Sequence, residues 1–270
     1  MFCANRHALI SSGERDCCNS DRLARWVPIR EHRHDRFLCA ANAKFLETQL
    51  TKKAMATITC KCGSVCINFP TDVELFRHEC CCYDCISALW YATQRGGPAY
   101  PRDRCADCCW LPNDFCIERG KDKLGAFLNF ASADTTRFYC TSCWTVLFGD
   151  HPHYEKRILV SQIGAYQEFE GLTKVVRMEA QARHFLKDLK SEQIAALRPW
   201  HGEPCHVYQG VAENLLEHFP AMKAAGGEGA EMNAQILLDK IGGAFVPTDE
   251  ARLSAGPPSL RQQAAVQAGS

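Results

Sequence analysis

Three groups of cysteine, Cys60-Lys61-Cys62-Gly63, Cys80-Cys81-Cys82-Tyr83-Asp84-Cys85 and Cys140-Thr141-Ser142-Cys143, constrain this chain more than any other feature. Thiols separated by one or two residues oxidise readily unless a soft ion holds them, and zinc bound tetrahedrally by Cys is the usual one. Cys140 and Cys143 form a Cys-x-x-Cys knuckle at the end of a predicted strand, Arg137 to Cys140. Cys60 and Cys62 are read as lying two apart on a strand, so that both side chains leave one face. Together the four predict a closed site that ties an early strand to a late one. Closed four-cysteine sites are structural, and their metal supplies folding free energy directly.

The middle group differs. Cys80, Cys82 and Cys85 offer three well-spaced thiolates without an obvious fourth protein ligand. Three ligands leave a zinc position open for water or a substrate thiol, as catalytic sites do. Cys81 is the alternative fourth ligand, although adjacent cysteines rarely hold one ion.

Composition narrows the function classes. The chain has 270 residues, 18 of them cysteine, and a formal net charge of +0. Phosphate contacts need an excess of Lys and Arg, so nucleic-acid binding is not expected. No apolar run approaches the ~18 residues that a membrane-spanning helix needs, and the opening residues lack a signal-peptide core. Paired thiols without such a signal point to metal ligands in a reducing, cytoplasmic compartment.

Residues 1–54 mix charges without a clear period and read as a poorly ordered extension, with a short helix over 36–50. Residues 55–170 read as a small, mainly β, antiparallel zinc domain. The predicted strands are Thr57 to Lys61, Val65 to Phe69, Val73 to Glu79, Ala126 to Ala131, Arg137 to Cys140, Thr145 to Phe148 and Arg157 to Gln162. The Pro-rich stretch 96–114 reads as a loop. Its Cys105, Cys108 and Cys109, with Cys116 nearby, are a weak third metal candidate beside the simpler reading of loop thiols.

Residues 171–270 read as a helical extension with a disordered tail. Ala182, Phe185, Leu186 and Leu189 lie at helical spacing, as do Val211, Leu215, Phe219 and Met222. Pro220 is expected to interrupt the second helix, and a third is expected over Glu231 to Ile241. These helices are a candidate surface for a protein partner. His151 and His153 are candidate bases or ligands, more simply read as solvated.

The ordered succession Cys-x-Cys-Gly, Cys-x-Cys-x-x-Cys and Phe-Tyr-Cys-x-x-Cys resembles the glutathione-dependent formaldehyde-activating enzyme (GFA) and centromere protein V family. The residues that carry it are Cys60 to Val65, Cys80 to Cys85 and Phe138 to Cys143, and the resemblance covers about residues 56–168. It implies a mainly β fold with two zinc ions. One, structural, would be held by Cys60, Cys62, Cys140 and Cys143; the other, reactive, by Cys80, Cys82 and Cys85. It also implies carbon–sulfur lyase chemistry on a glutathione-type thiol and an aldehyde, through S-hydroxymethylglutathione. The alternative is a non-enzymatic zinc scaffold that binds a protein partner. Three features depart from the family pattern: Cys81 stands where His is frequent, Trp144 where Gly follows the last cysteine, and the 96–114 connection is long.

Overall fold

A computed structural model describes residues 55–101, 105–166, 169–227 and 230–247. The readings made for residues 1–54 and for the tail beyond residue 247 fall outside these. The described chain is mainly β, as expected, with two sheets and four short helices.

The smaller sheet joins β1 (Ala56–Thr59), β2 (Cys66–Phe69), β5 (Cys116–Arg119) and β10 (Leu172–Thr173) in the order β10-β1-β2-β5. The larger runs β11-β3-β4-β9-β8-β7-β6. Its strands are β3 (Phe76–Cys80), β4 (Ala106–Pro112), β6 (Leu124–Phe127), β7 (Thr136–Cys140), β8 (Val146–Asp150), β9 (Ile158–Ser161) and β11 (Arg183–His184). Its pairings are antiparallel except for β11 on β3. Phe69, Phe76, Phe127, Phe138 and Phe148 are buried in one continuous core with Ile58, Leu111 and Leu147. Aromatic pairs such as Phe115–Phe148 at 5.3 Å join residues distant in the chain.

The stretch 96–114 is not a loop throughout. Its second half is β4, paired to β3 on one side and β9 on the other. Cys108, Cys109, Trp110 and Leu111 are all buried there, and Pro112 sits at the strand end, where its missing N–H is tolerated. Helix α1 (Tyr83–Gln94) begins directly on the middle cysteine group and was not foreseen. Residues 182–189 do not form the expected α-helix but the short strand β11 followed by a single 3-10 turn, Leu186–Asp188. Val207 N–H donates to Arg183 O, Arg183 N–H donates to Cys205 O, and Lys187 N–H donates to Tyr208 O. Those partners, and the open edge of β3, outcompete the helical period.

Two further short helices lie beyond: α2 (Ser191–Ala196), then α3 (Glu213–Ala225), which continues through Pro220 instead of breaking there. Its face packs on β3 and β4 through Phe219 against Trp110 (5.4 Å) and His218 against Phe76 (5.3 Å). This packing offsets the backbone bond that the proline removes. α4 (Ala234–Lys240) is capped by Asn233, whose side-chain oxygen accepts from Ile236 N–H.

Candidate metal centres

The first centre forms between two knuckles of the same construction. Cys60 N–H bonds Val65 O at 3.1 Å, and Cys140 N–H bonds Thr145 O at 3.0 Å. Cys60 and Cys62 are therefore in a turn beyond β1, not on a strand. Gly63, at φ +72°, closes that turn with its N–H on Cys60 O. The second knuckle closes through Trp144 N–H on Cys140 O, with Trp144 itself left-handed at φ 52°. A tryptophan there carries strain that glycine would not. Its ring stacks on Tyr139 at 4.5 Å and lies under the Arg95 guanidinium, contacts that offset the strain. Lys61 N–H to Thr145 Oγ1, 3.0 Å, joins the knuckles.

The sulfurs of Cys60, Cys62, Cys140 and Cys143 all lie within 4.8 Å of one another, with Cys60–Cys62 at 3.5 Å and Cys62–Cys140 at 3.9 Å. Zn–S bonds of about 2.3 Å at tetrahedral angles require sulfurs about 3.8 Å apart, so the set fits one ion. Burial pushes the Cys60 thiol up to about 12. Burial also opposes ionisation of Cys62, but hydrogen bonds from Ser64 outweigh it and bring that thiol down to about 6. One thiol of the set is thus readily ionised before any cation arrives.

The second centre lies at the start of α1. Cys80 and Cys82 alternate with Cys81 along an extended segment, so the first two share a direction and Cys81 takes the other. Cys80 and Cys82 sulfurs are 3.3 Å apart, and Cys82 caps α1 by accepting Cys85 N–H at 3.3 Å. Cys80, Cys82 and Cys85 sulfurs lie within 4.8 Å of one another, which also suits a soft cation. A helix N-terminus favours negative sulfur there. Cys81 does not complete the set: it is disulfide-bonded to Cys105, with Cα atoms 4.7 Å apart, and packs against Leu186 and Leu189.

The three sulfurs open on a cavity of about 340 Å³. Trp110, Tyr154, Leu215 and Phe219 give it apolar walls, and residues of α3 beyond the resemblance supply part of them. Arg137, 1% exposed, lies beneath it, paired to Asp84 at 2.6 Å and 4.0 Å from Cys85 Sγ. A hydrogen bond from Cys108 is the first reason that Cys85 is held well below the usual thiol range; Arg137 adds to it. His184 and His78 stack at 4.5 Å, and Trp110 Nε1–H donates to His78 Nδ1 at 2.9 Å. His184 Nε2 and Arg137 Nε, both buried, have no protein partner. His151 and His153, at ring centroids 4.8 Å apart, line the same cavity. A separate cavity of about 380 Å³ lies behind Cys105. Its charges are paired, Glu79 with Arg183 and Arg198, and Asp107 with Arg77 and Arg177.

His78, His184 and Arg137 do not stand out in the sequence, and Cys108 belongs to the middle cavity and not to a third group with Cys105, which is disulfide-bonded. The signal for Cys108 and Trp110 was their place in an unbroken apolar run, masked by the surrounding prolines. Among the described residues, no helix is long and apolar enough to cross a membrane.

Burial holds His78 down to about 3 and His184 down to about 4, so both are neutral in the native state near neutrality. Folded values below the unfolded ~6.5 mean that their contribution is complete above that pH and is lost on acidification through the window between. Unfolding free energy is expected to fall below pH 6.5 by up to about 1.4 kcal/mol per pH unit for each histidine. Urea titrations at pH 6.5, 5.5 and 4.5 check this, with His184→Asn showing a slope smaller by about one proton. An identical slope in that variant would refute the assignment.

No family model and no curated protein matches this chain. Among solved structures, a crystal structure of a Rhodobacter sphaeroides protein is similar over 42% of this chain and 90% of that one, at 19% identity and a TM-score of 0.27. A likeness at that level carries no functional argument. The cysteine clusters themselves are the feature suited to binding metal.

Proposed function

We propose that this chain is a zinc-binding protein of GFA type that makes or cleaves a carbon–sulfur bond between a glutathione-type thiol and an aldehyde. The observation that carries this reading is the convergence of three cysteine sulfurs on a largely apolar cavity, with partnerless buried nitrogens in its lining. The resemblance in motif order supports it. A zinc ion held by Cys80, Cys82 and Cys85 would lower the pKa of a bound thiol and hold it as thiolate. Cys60, Cys62, Cys140 and Cys143 would hold a second, structural ion.

The chain's own residues supply the surroundings. Arg137 offsets negative charge on Cys85, and Asp84 fixes the guanidinium in place. Trp110, Tyr154 and Phe219 restrict water around the sulfurs, which strengthens local electrostatics. His184 Nε2 is free to hydrogen-bond a hydroxyl on the aldehyde-derived carbon.

The test is zinc per chain in the wild type and in Cys82→Ala, with glutathione titrated into each and formaldehyde added. Two ions falling to one, with thiol binding and adduct formation lost in the variant, are expected. Two ions in both proteins and no response to glutathione would overturn the proposal. One observation favours the scaffold alternative, in which a partner protein binds instead: a fourth thiol, Cys108, stands beside the three.

A further inference from the structure

Cys108 reaches the middle centre from a different part of the chain. It sits on β4 opposite His78 of β3, and it is 1% exposed. Strand alternation turns it and Trp110 to the cavity, while Cys109 between them meets Glu74 on the other side. The Cys108 sulfur lines the same cavity as Cys80, Cys82 and Cys85, and Gln162 Nε2–H donates to it at 3.6 Å. A buried sulfur that receives an amide N–H and faces the same cavity as a thiol triad is placed as a ligand would be.

We infer that Cys108 is the fourth sulfur of the middle metal site and yields its place to an incoming substrate thiol. The inference rests on the metal–thiol reading above. A soft cation with four thiolates carries net negative charge, which Gln162 and Arg137 would offset. The sulfurs need little rearrangement. Cys108 lies outside the group of sulfurs within 4.8 Å of one another, so it must approach at least one of the three by about 1 Å or more to reach tetrahedral spacing. Exchange with a thiol balances without any oxidant. The metal–Cys108 bond breaks, a bond to the incoming sulfur forms, and the thiol proton passes to Cys108, which leaves as a neutral buried thiol. This reconciles four protein sulfurs with a site that still accepts substrate.

The test begins on the unaltered, zinc-loaded full chain by X-ray absorption. An average of about 4 sulfurs per zinc is expected, against about 3.5 if one site has only three. Chelator competition on Cys108→Ser then reads the weaker site, where affinity should drop about 10-fold or more, while Cys109→Ser leaves it unchanged. A value near 3.5, or unaltered affinity in Cys108→Ser, overturns the inference even if glutathione binds. Glutathione should leave the sulfur count at about 4 in the wild type, since it supplies the sulfur that Cys108 gives up, and should bind Cys108→Ser more tightly. If Cys108→Ser weakens metal binding but glutathione binds neither protein, Cys108 stands as a permanent ligand. In that case the exchange and the enzymatic reading fail together.

Discussion

Cys140→Ser is expected to lose most of the native stability of the chain. The four sulfurs join the β1–β2 end of the smaller sheet to β7 of the larger one. The Lys61–Thr145 hydrogen bond is one direct polar link across that junction. Zinc in small structural sites supplies on the order of 10 kcal/mol, comparable with the whole stability of a domain. A metal site reduced to three ligands keeps only part of it, so a fall in Tm of at least about 15 °C is expected for a chain of this size. Strong chelators should move the wild type toward the same value. Calorimetry with and without chelator is the check; a variant melting within about 3 °C of wild type would show the knuckles to be self-supporting.

Asp84→Ala should produce the next largest effect. Arg137 is almost wholly buried, and its charge is met by Asp84 at 2.6 Å. Asn129 Nδ2–H also donates to Asp84 Oδ1 at 2.7 Å, but it keeps Asp84 O and Ser87 Oγ after truncation, so the guanidinium is the buried group left short. Breaking such a pair costs about 3–5 kcal/mol, whereas replacing both partners by apolar residues often costs much less. Asp84→Ala is therefore expected to unfold at clearly lower urea, and Asp84→Ala with Arg137→Met to recover part of the loss. A single-variant loss below about 1 kcal/mol would mean that water or Cys85 already satisfies the guanidinium.

Trp144 illustrates how packing replaces a local rule. The resemblance implies glycine after the last knuckle cysteine, and glycine adopts the positive φ of this turn without strain. The protein keeps that φ and holds it with the Tyr139–Trp144 stack. The Cys60–Cys62 pair makes the complementary point. Its ligand spacing was legible, but the strand assigned to it was not correct, since a left-handed Gly63 directs both sulfurs from a turn.

The sequence by itself determined the mainly β class and the two groups of metal-suited thiols, because both are written in short-range spacing. Alternating apolar residues choose strands, and closely spaced cysteines bring their sulfurs together with few degrees of freedom. Only the tertiary structure decided what surrounds those sulfurs. It drew β4 out of a Pro-rich stretch, put the edge strand Arg183–His184 where a helix was expected, and set Cys108, His184 and α3 around the middle cysteines. Those choices depend on strand pairing and burial across 20 to 140 residues of sequence, on the order of the separations involved, where local periodicity carries no information.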